Sequence, residues 1–588
     1  MIIIGISMSH DGTITVLKDG KNIFSIGEER LNRIKSYIGF PFKALEYIVQ
    51  QGIIKPEAVD QIVIGTHAQF PASHKEMFAF CLNEDKIYYD FQNHDKPAGF
   101  YIGDQEWEKI KTDAECKAYV EGKLKSIFAA QGITAPISFA DHHQCHATAA
   151  YYASGFKEAL AITLDSYGDG LSATVTMCRN GNIERIHEEP YDHSLGSLYS
   201  EVTKACGFRI SRHEGKITGL AAYGDPAKSE AYFDTCVQVK DGKIHIQLEK
   251  NDILSKLIRV SGNFISGIKD TRPERIIKEL RHLSKEDLSA GVQRMLEKRA
   301  VEFISYWVQK TGIRNIVVSG GVFANVKANQ RIAELKEVEE FFVYPDMGDG
   351  GNAYGGAVHY YFQHTKNSIP YSSLHDVYLG PAYSAEEIET ELKKHPTIAY
   401  HKSNDVAEET GALVFDNKIV GWFQGAMEYG PRALGNRTIL ASPTDKTINK
   451  WLNDRLKRTE FMPFAPSCLY EYADELFLIP KESLKYAAMF MTITFDMKEE
   501  WVKKAPAVAH IDKTARPQLV TADSNPRYYA FLKAYHRLSG LPLVINTSFN
   551  VHEEPIVCSP LDGVKPLLSG VIDYLVIGDY VCKLKPAE

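Results

Sequence analysis

Several features that would fix a protein's class at once are missing from this chain. It has no run of about 18 uninterrupted apolar residues, so no transmembrane helix is expected. Its nine cysteines are odd in number and scattered, with no C-x-x-C pair. That pattern fits a reducing, cytoplasmic setting better than a disulfide framework. Positive charge is not in excess: 67 Lys and Arg stand against 75 Asp and Glu, a net −8. The balance argues against a nucleic-acid partner or an anionic membrane surface, though it leaves room for a local basic pocket. There is no Walker loop, because Gly215-Lys216 runs into Ile217 without the upstream glycine spacing. The opening Met-Ile-Ile-Ile-Gly-Ile has no basic leader and reads as a first strand, not a signal peptide.

What is present is ordinary in bulk: 588 residues, 44% hydrophobic and 24% charged, as in a soluble globular protein. At roughly 150 residues per domain this length allows two to four domains. The chain is organised around Asp141-His142-His143-Gln144-Cys145-His146, which opens a helix running to Ala153. Residues four apart share a helix face, so His142 and His146 project side by side as two imidazoles can toward a metal. The alternative is a pair of surface histidines. Two Gly-Asp-Gly turns beside predicted strands, Gly168-Asp169-Gly170 and Gly348-Asp349-Gly350, favour the metal.

In chain order, residues 2–8, Thr13–Leu17 and Ile23–Ile26 read as strands, with Ser9-His10-Asp11-Gly12 and Lys18–Lys21 as turns. Glu28–Lys35 reads as a solvated charged face, with Lys35 as the alternative phosphate contact. Phe42–Gln51 reads as an amphipathic helix and Gln61–Gly65 as a buried strand. Residues 66–115 show no clean period and read as an insertion. Ala159–Leu164, Asp165–Gly170 and Leu171–Cys178 repeat the strand, Asp-containing turn and strand of the start, as in the second half of a duplicated fold. A long helix is predicted over Leu288–Gln309. Strand Asn315–Ser319 leads into Gly320-Gly321, which suits a nucleotide platform because glycine admits close backbone approach and a helix end favours anions.

After Thr365 the texture changes. Ser384–Glu387 is a capped helix start, and residues 379–588 read as a separate α/β domain. There Arg432, Arg437, Lys457, Arg458 and Arg516 are placed in loops beside glycine and proline, as for a small phosphorylated anion. Any one of them alone is more simply a surface cation. Asn546, Ser548 and Asn550 alternate along an extended segment and share a face. In the first domain His142, His146, Asp165 and Asp349 form a donor set suited to Fe(II), Mn(II) or Zn(II). His10 is a candidate general base on an acceptor hydroxyl, with Asp11 beside it; the alternative is a turn histidine at the surface.

These motifs resemble the O-carbamoyltransferases of antibiotic and nodulation-factor biosynthesis. The resemblance rests on His10-Asp11-Gly12, Glu28-Glu29-Arg30, His142-x3-His146, Gly215-Lys216-x2-Gly219-Leu220-Ala221-Ala222-Tyr223-Gly224, Ser319-Gly320-Gly321-Val322, Gly348-Asp349-x-Gly351, Gly430-Pro431-Arg432-Ala433-Leu434-Gly435, Arg516-Pro517-Gln518 and Asn546–Asn550. They keep the family's order over nearly the whole chain. The resemblance implies a duplicated actin-like (ASKHA) domain over residues 1–366 and a YrdC-like α/β domain over 379–588. It implies that carbamoyl phosphate and ATP, with Mg, form carbamoyl adenylate in the second domain. The first domain then passes the carbamoyl group to a hydroxyl of a small-molecule acceptor.

Residue by residue, the resemblance makes His142, His146 and Asp349 metal ligands, with Asp165 in or near the shell and iron the usual metal. It makes His10 the catalytic histidine and Lys35 a nucleotide contact. Gly196, Gly321 and Asn352 fall at nucleotide-facing turns, and Asp225 at an acceptor contact. Arg432, Arg516, Asn546, Ser548 and Arg458 match the carbamoyl phosphate site, with Asn550 beside them. One departure is Arg458-Thr459-Glu460-Phe461-Met462-Pro463, where the family carries a further arginine. A sugar-kinase-like phosphotransferase would leave the cationic motifs without a task. A nucleotide-switched binding protein of the Hsp70 type would want an apolar groove in its second domain. A tRNA-modifying carbamoyl transferase sits poorly with the acidic balance. The acceptor's identity and a homodimer are left open.

Overall fold

The computed structural model describes residues 1–65, 67–84, 106–247, 279–280, 282–365, 373–455, 464–551 and 553–586. The first sheet is built from β1 (Ile2–Ser7), β2 (Thr13–Lys18), β3 (Lys21–Gly27), β4 (Gln61–Ile64) and β5 (Ile137–Phe139), in the order β3-β2-β1-β4-β5. The second is built from β6 (Glu158–Gly168), β7 (Leu171–Arg179), β8 (Asn182–Pro190), a separate hairpin β9–β10 (Val237–Lys240, Lys243–Ile246) lying apart, then β11 (Asn315–Ser319) and β12 (Glu340–Val343). Its order is β12-β11-β6-β7-β8. In each sheet three antiparallel strands are followed by two parallel ones. The two sheets therefore have one topology, which is the duplication expected of an actin-like fold.

Ile3, Ile4 and Ile6 of β1 are all fully buried. A strand buried on both faces needs such a continuous apolar run. The cover on one side comes from helices His142–Ser154 and Asn352–His364, which pack on each other and on the sheets. Every residue of the first of these except Gln144 is buried, as in a helix enclosed on all sides. Their close approach needs Gly355, where a Cβ would stand 1.9 Å from the carbonyl of Cys145. Asp141 caps the helix by accepting from the Gln144 amide at 2.8 Å, so it starts at His142.

Residues from 373 onward form an eight-stranded sheet, which includes strands Val420–Phe423, Arg437–Ala441, Ala465–Leu469, Gln518–Val520 and Leu543–Ser548. Ser384 and Glu387 make the expected capping box. All nine cysteines are unbridged. Among the described residues no helix is long and apolar enough to cross a membrane.

The charged segment Glu28–Lys35 corrects the expectation of a solvated face. Glu28 is only 1% exposed and its carboxylate accepts from the Lys43 and Ala44 amides at 2.9 and 2.8 Å. It caps the helix Phe42–Gln50 in place of a local side chain. Within 66–115 the described residues include helix Lys75–Cys81, and a helix Asp113–Ala130 begins there with a Thr112–Glu115 capping box. Residues 66 and 85–105 of that insertion lie outside the described residues.

Candidate metal and anion sites

Two histidines one helical turn apart meet two carboxylates that lie at or just past the carboxyl ends of parallel strands β6 and β12. His142 Nε2 and His146 Nε2 are 3.1 Å apart. Asp165, near the end of β6, brings Oδ2 to 3.1 Å from His142 and 3.7 Å from His146. Asp349, in the turn Asp349–Gly351 after β12, places Oδ1 3.5 Å from both. One ligand atom from each of the four lies within 4.8 Å of all the others. Donors about 2.1 Å from a shared ion stand roughly 3 to 4 Å apart, so little closure is needed to hold one.

Each donor is oriented from behind, as metal ligands generally are. His146 Nδ1 meets Ser319 Oγ at 3.1 Å, which leaves Nε2 facing the cluster. The other Asp165 oxygen accepts from the Gly321 amide at 3.1 Å, and the other Asp349 oxygen accepts from Ser9 Oγ at 2.7 Å. Gly168 lies against the ring of His142, where a Cβ would come 2.1 Å from Cδ2. His143 faces away and pairs with Thr163 at 2.8 Å. Asp169 is no ligand: it accepts the backbone amides of His142 and Ala68 at 3.0 and 2.9 Å.

The cluster is electrostatically primed. Burial alone would depress His142, but the Asp349 and Asp165 carboxylates outweigh it and push its pKa up to about 10. Burial would likewise raise Asp165, yet its hydrogen bonds to His142 and His146 hold it well below the carboxylate range. The proton held here is one a divalent cation would displace, so metal binding releases it. Two imidazoles and two carboxylates, all buried or nearly so, fit a borderline divalent ion.

His10 lies in the β1–β2 turn, with Nδ1 3.1 Å from Asp11 Oδ2. Burial works against its proton, but Asp11 wins and raises its pKa to about 9. His10 is therefore a proton donor at neutral pH, and the general-base role requires that proton to be lost first. Gly196 and Gly321 back the Asp165 carboxylate and its backbone. Asn352 is fully buried, with Nδ2 3.3 Å from His146 Nε2. These three crowd the metal set. Lys35 is half-buried and its carbonyl accepts from Arg212 at 2.7 Å. Asp225 is exposed and caps the following helix through the Ala227 amide at 3.0 Å.

In the second half three motif segments converge on Asn546. Its Nδ2 donates to Ser467 Oγ and Gln518 Oε1, each at 2.9 Å, and to the Ala433 carbonyl at 3.1 Å. Arg432 and Arg516 flank these contacts in the chain and are half-buried. A cavity of about 220 Å³ opens beside Arg516. Phe464, Ala465 and Arg516 line it from the second half, and Thr218, Gln293 and Lys327 from the first. Gln518, Ser319 and Ser9 stand in the motifs quoted above without an assigned role, and Ser467 stands in none of them. A neutral residue one or two places from a charged one carries no signal until the fold brings it against a ligand.

One expectation fails here. Arg437 is no loop cation. It is fully buried in strand Arg437–Ala441, stacked 3.6 Å over Phe423, with its guanidinium spent on the carbonyls of Gln424, Asn436 and Pro381. The strand ends at Ser548, yet Asn550 beyond it still meets that side chain, with Ser548 Oγ donating to Asn550 Oδ1 at 2.6 Å. The Asn550 amide turns back to the Ser548 carbonyl at 2.9 Å, and its side chain holds the carbonyls of Val551 and Glu554 at 3.0 and 2.8 Å. Lys457 and Arg458 lie outside the described residues.

Residues 2–358 match the carbamoyltransferase N-terminus and residues 411–584 the carbamoyltransferase C-terminus. Nodulation protein NolNO of Sinorhizobium fredii is 31% identical over 583 residues, covering 98% of this chain and 80% of that protein. An uncharacterized protein of Methanocaldococcus jannaschii is 31% identical over 593 residues, covering 99% of each. Full-length HypF in its phosphate- and nucleotide-bound form matches at 12% identity and a TM-score of 0.29, over 62% of this chain and 56% of that one. The chain belongs to the carbamoyltransferase family.

Proposed function

We propose that this carbamoyltransferase divides its reaction between a domain over residues 379–588 and one over residues 1–366. In the former, Arg432, Arg516, Asn546 and Ser548 bind carbamoyl phosphate, with Arg458 as a further contact. Water releases phosphate from it, and the carbamate oxygen attacks the α-phosphorus of ATP. Carbamoyl adenylate forms and pyrophosphate leaves. In the other domain the hydroxyl of a small-molecule acceptor attacks the carbamoyl carbon, AMP leaves, and the hydroxyl proton passes to a base. The observation that carries this reading is the shared cavity, which joins Arg516 of one half to residues of the other.

His142, His146, Asp165 and Asp349 would hold a divalent metal, Fe(II) by the family resemblance, and it would supply Lewis-acid charge toward carbonyl or phosphate oxygens. His10 in its protonated state faces developing negative charge. Asp11 keeps that proton in place, and loss of it makes His10 the base for the acceptor. Lys35 and Asp225 contact nucleotide and acceptor, and Gly196, Gly321 and Asn352 shape the nucleotide side. Unbridged cysteines agree with a cytoplasmic protein.

The test is pyrophosphate release from ATP by metal-replete protein, with and without carbamoyl phosphate. Release is expected to require carbamoyl phosphate, to vanish in Arg516→Ala and to persist in His142→Ala. Release that ignores carbamoyl phosphate overturns the reading.

A further inference from the structure

The two candidate sites meet at one tyrosine. Tyr429 is buried, and its hydroxyl donates to the Gly350 carbonyl at 2.8 Å. Gly350 follows Asp349 inside the turn that offers a carboxylate to the metal set. Tyr429 also precedes Arg432 by three residues, so one side chain links the metal turn to the loop of the anion site.

That loop is tied at several other points. Glu428 is 4% exposed, and its Oε1 accepts from the amides of Leu434, Asn436 and Arg437 at 2.8, 2.6 and 2.9 Å. These bonds close the base of the loop within its own half. From the first half, Arg30 donates to the Gly430 carbonyl at 3.1 Å. The Tyr429 amide donates to Val377 at 2.8 Å. None of these bonds reaches the metal turn, whereas the phenol oxygen does. A phenylalanine would fill the same space, so the hydroxyl serves register between turn and loop. A buried hydroxyl left without its acceptor is costly, and that fixes the register firmly.

We infer that Tyr429 is a positioning residue that couples the Asp349 turn to the Arg432 loop, so that metal and carbamoyl phosphate tighten each other's binding. The inference rests on the proposed assignment of the anion site. Ligation of Asp349 orders its turn, the Gly350 carbonyl orders the phenol, and the phenol orders Gly430 to Arg432. Coupling of two binding equilibria is reciprocal, so the same factor must appear in both directions.

The test uses the full chain, stripped of metal or loaded with Mn(II), and measures binding of radiolabelled carbamoyl phosphate by rapid filtration in the cold without ATP. Loading is expected to tighten binding by about fivefold or more. In Tyr429→Phe that factor should fall to about one while the stripped affinity changes little. Arg30→Gln, which cuts a tie that does not reach the turn, should keep the factor. A second readout needs no variant: Mn(II) should slow amide hydrogen exchange across residues 430–436 of the natural protein. Equal affinity with and without metal, unchanged exchange, or a coupling factor retained in Tyr429→Phe overturns the inference. A natural protein that binds no carbamoyl phosphate in either state overturns the proposed anion site as well.

Discussion

The two five-stranded sheets share one strand order, yet their first hairpin turns carry different chemistry. The β1–β2 turn holds His10 and Asp11 with their side chains 30% and 44% exposed. The strand before the β6–β7 turn holds Asp165, 8% exposed and pressed against two histidines. The same topology thus supplies a part-exposed imidazole held protonated by its neighbour on one side and a buried carboxylate on the other. Duplication delivers two turns; what each does depends on the helix that packs behind it. Helix His142–Ser154 sends His142 and His146 toward the second turn, which becomes the candidate metal side by that contact.

The largest way to break the comparison is on the buried side. His146→Ala should abolish tight metal binding and carbamoyl transfer while leaving carbamoyl phosphate-dependent pyrophosphate release; metal content after dialysis and a paired assay check it. On the open side, His10→Gln should lower transfer by about a hundredfold or more with metal content unchanged. Equal loss of metal in both variants would erase the distinction between the two turns.

A finer test uses glycine. Gly168→Ala drives a Cβ into the His142 ring and should weaken metal binding by about tenfold, as losses behind a ligand do. Gly27→Ala in the first sheet meets nothing closer than 3.8 Å and should leave metal binding intact.

The smallest effect lies where the first sheets meet the Arg432 loop. Asp346 is pushed from 3.8 up to about 7, first by burial and then by Asp11, against the pull of Tyr429 and Arg30. Between about pH 4 and pH 7 the folded chain keeps a proton that the unfolded chain has released. Stability therefore falls as pH rises through that window, and the loss is complete above about 7. Asp346→Asn removes the penalty, so its melting temperature should exceed that of the natural protein by more at about pH 8 than at about pH 5, by a degree or two.

Much of the fold was legible because strand and turn signals are local. The apolar run of β1, the turn residues of the hairpins and the Ser384 capping box each act within a few positions. Spacing of four brought His142 and His146 together for the same reason. Charge misled where burial decided. Glu28 and Arg437 look like solvated residues in sequence, yet one caps a distant helix and the other sits over Phe423 among backbone carbonyls. Nothing local records that a backbone group will need a partner from elsewhere.

By itself the sequence determined the twin hairpins, the helical pairing of His142 with His146 and the membership of every motif quoted for the family, because these depend on residue type and short spacing. Asp165 and Asp349 already stood in the expected donor set, but only the tertiary structure decided the distances at which they meet the histidine pair, that Asn546 gathers Ser467 and Gln518, and that Tyr429 links the Gly350 turn to the Arg432 loop. The Asp349 contacts join residues more than two hundred positions apart and the Asn546–Ser467 contact residues 79 apart, and it is packing of sheets and helices that brings their polar atoms into range.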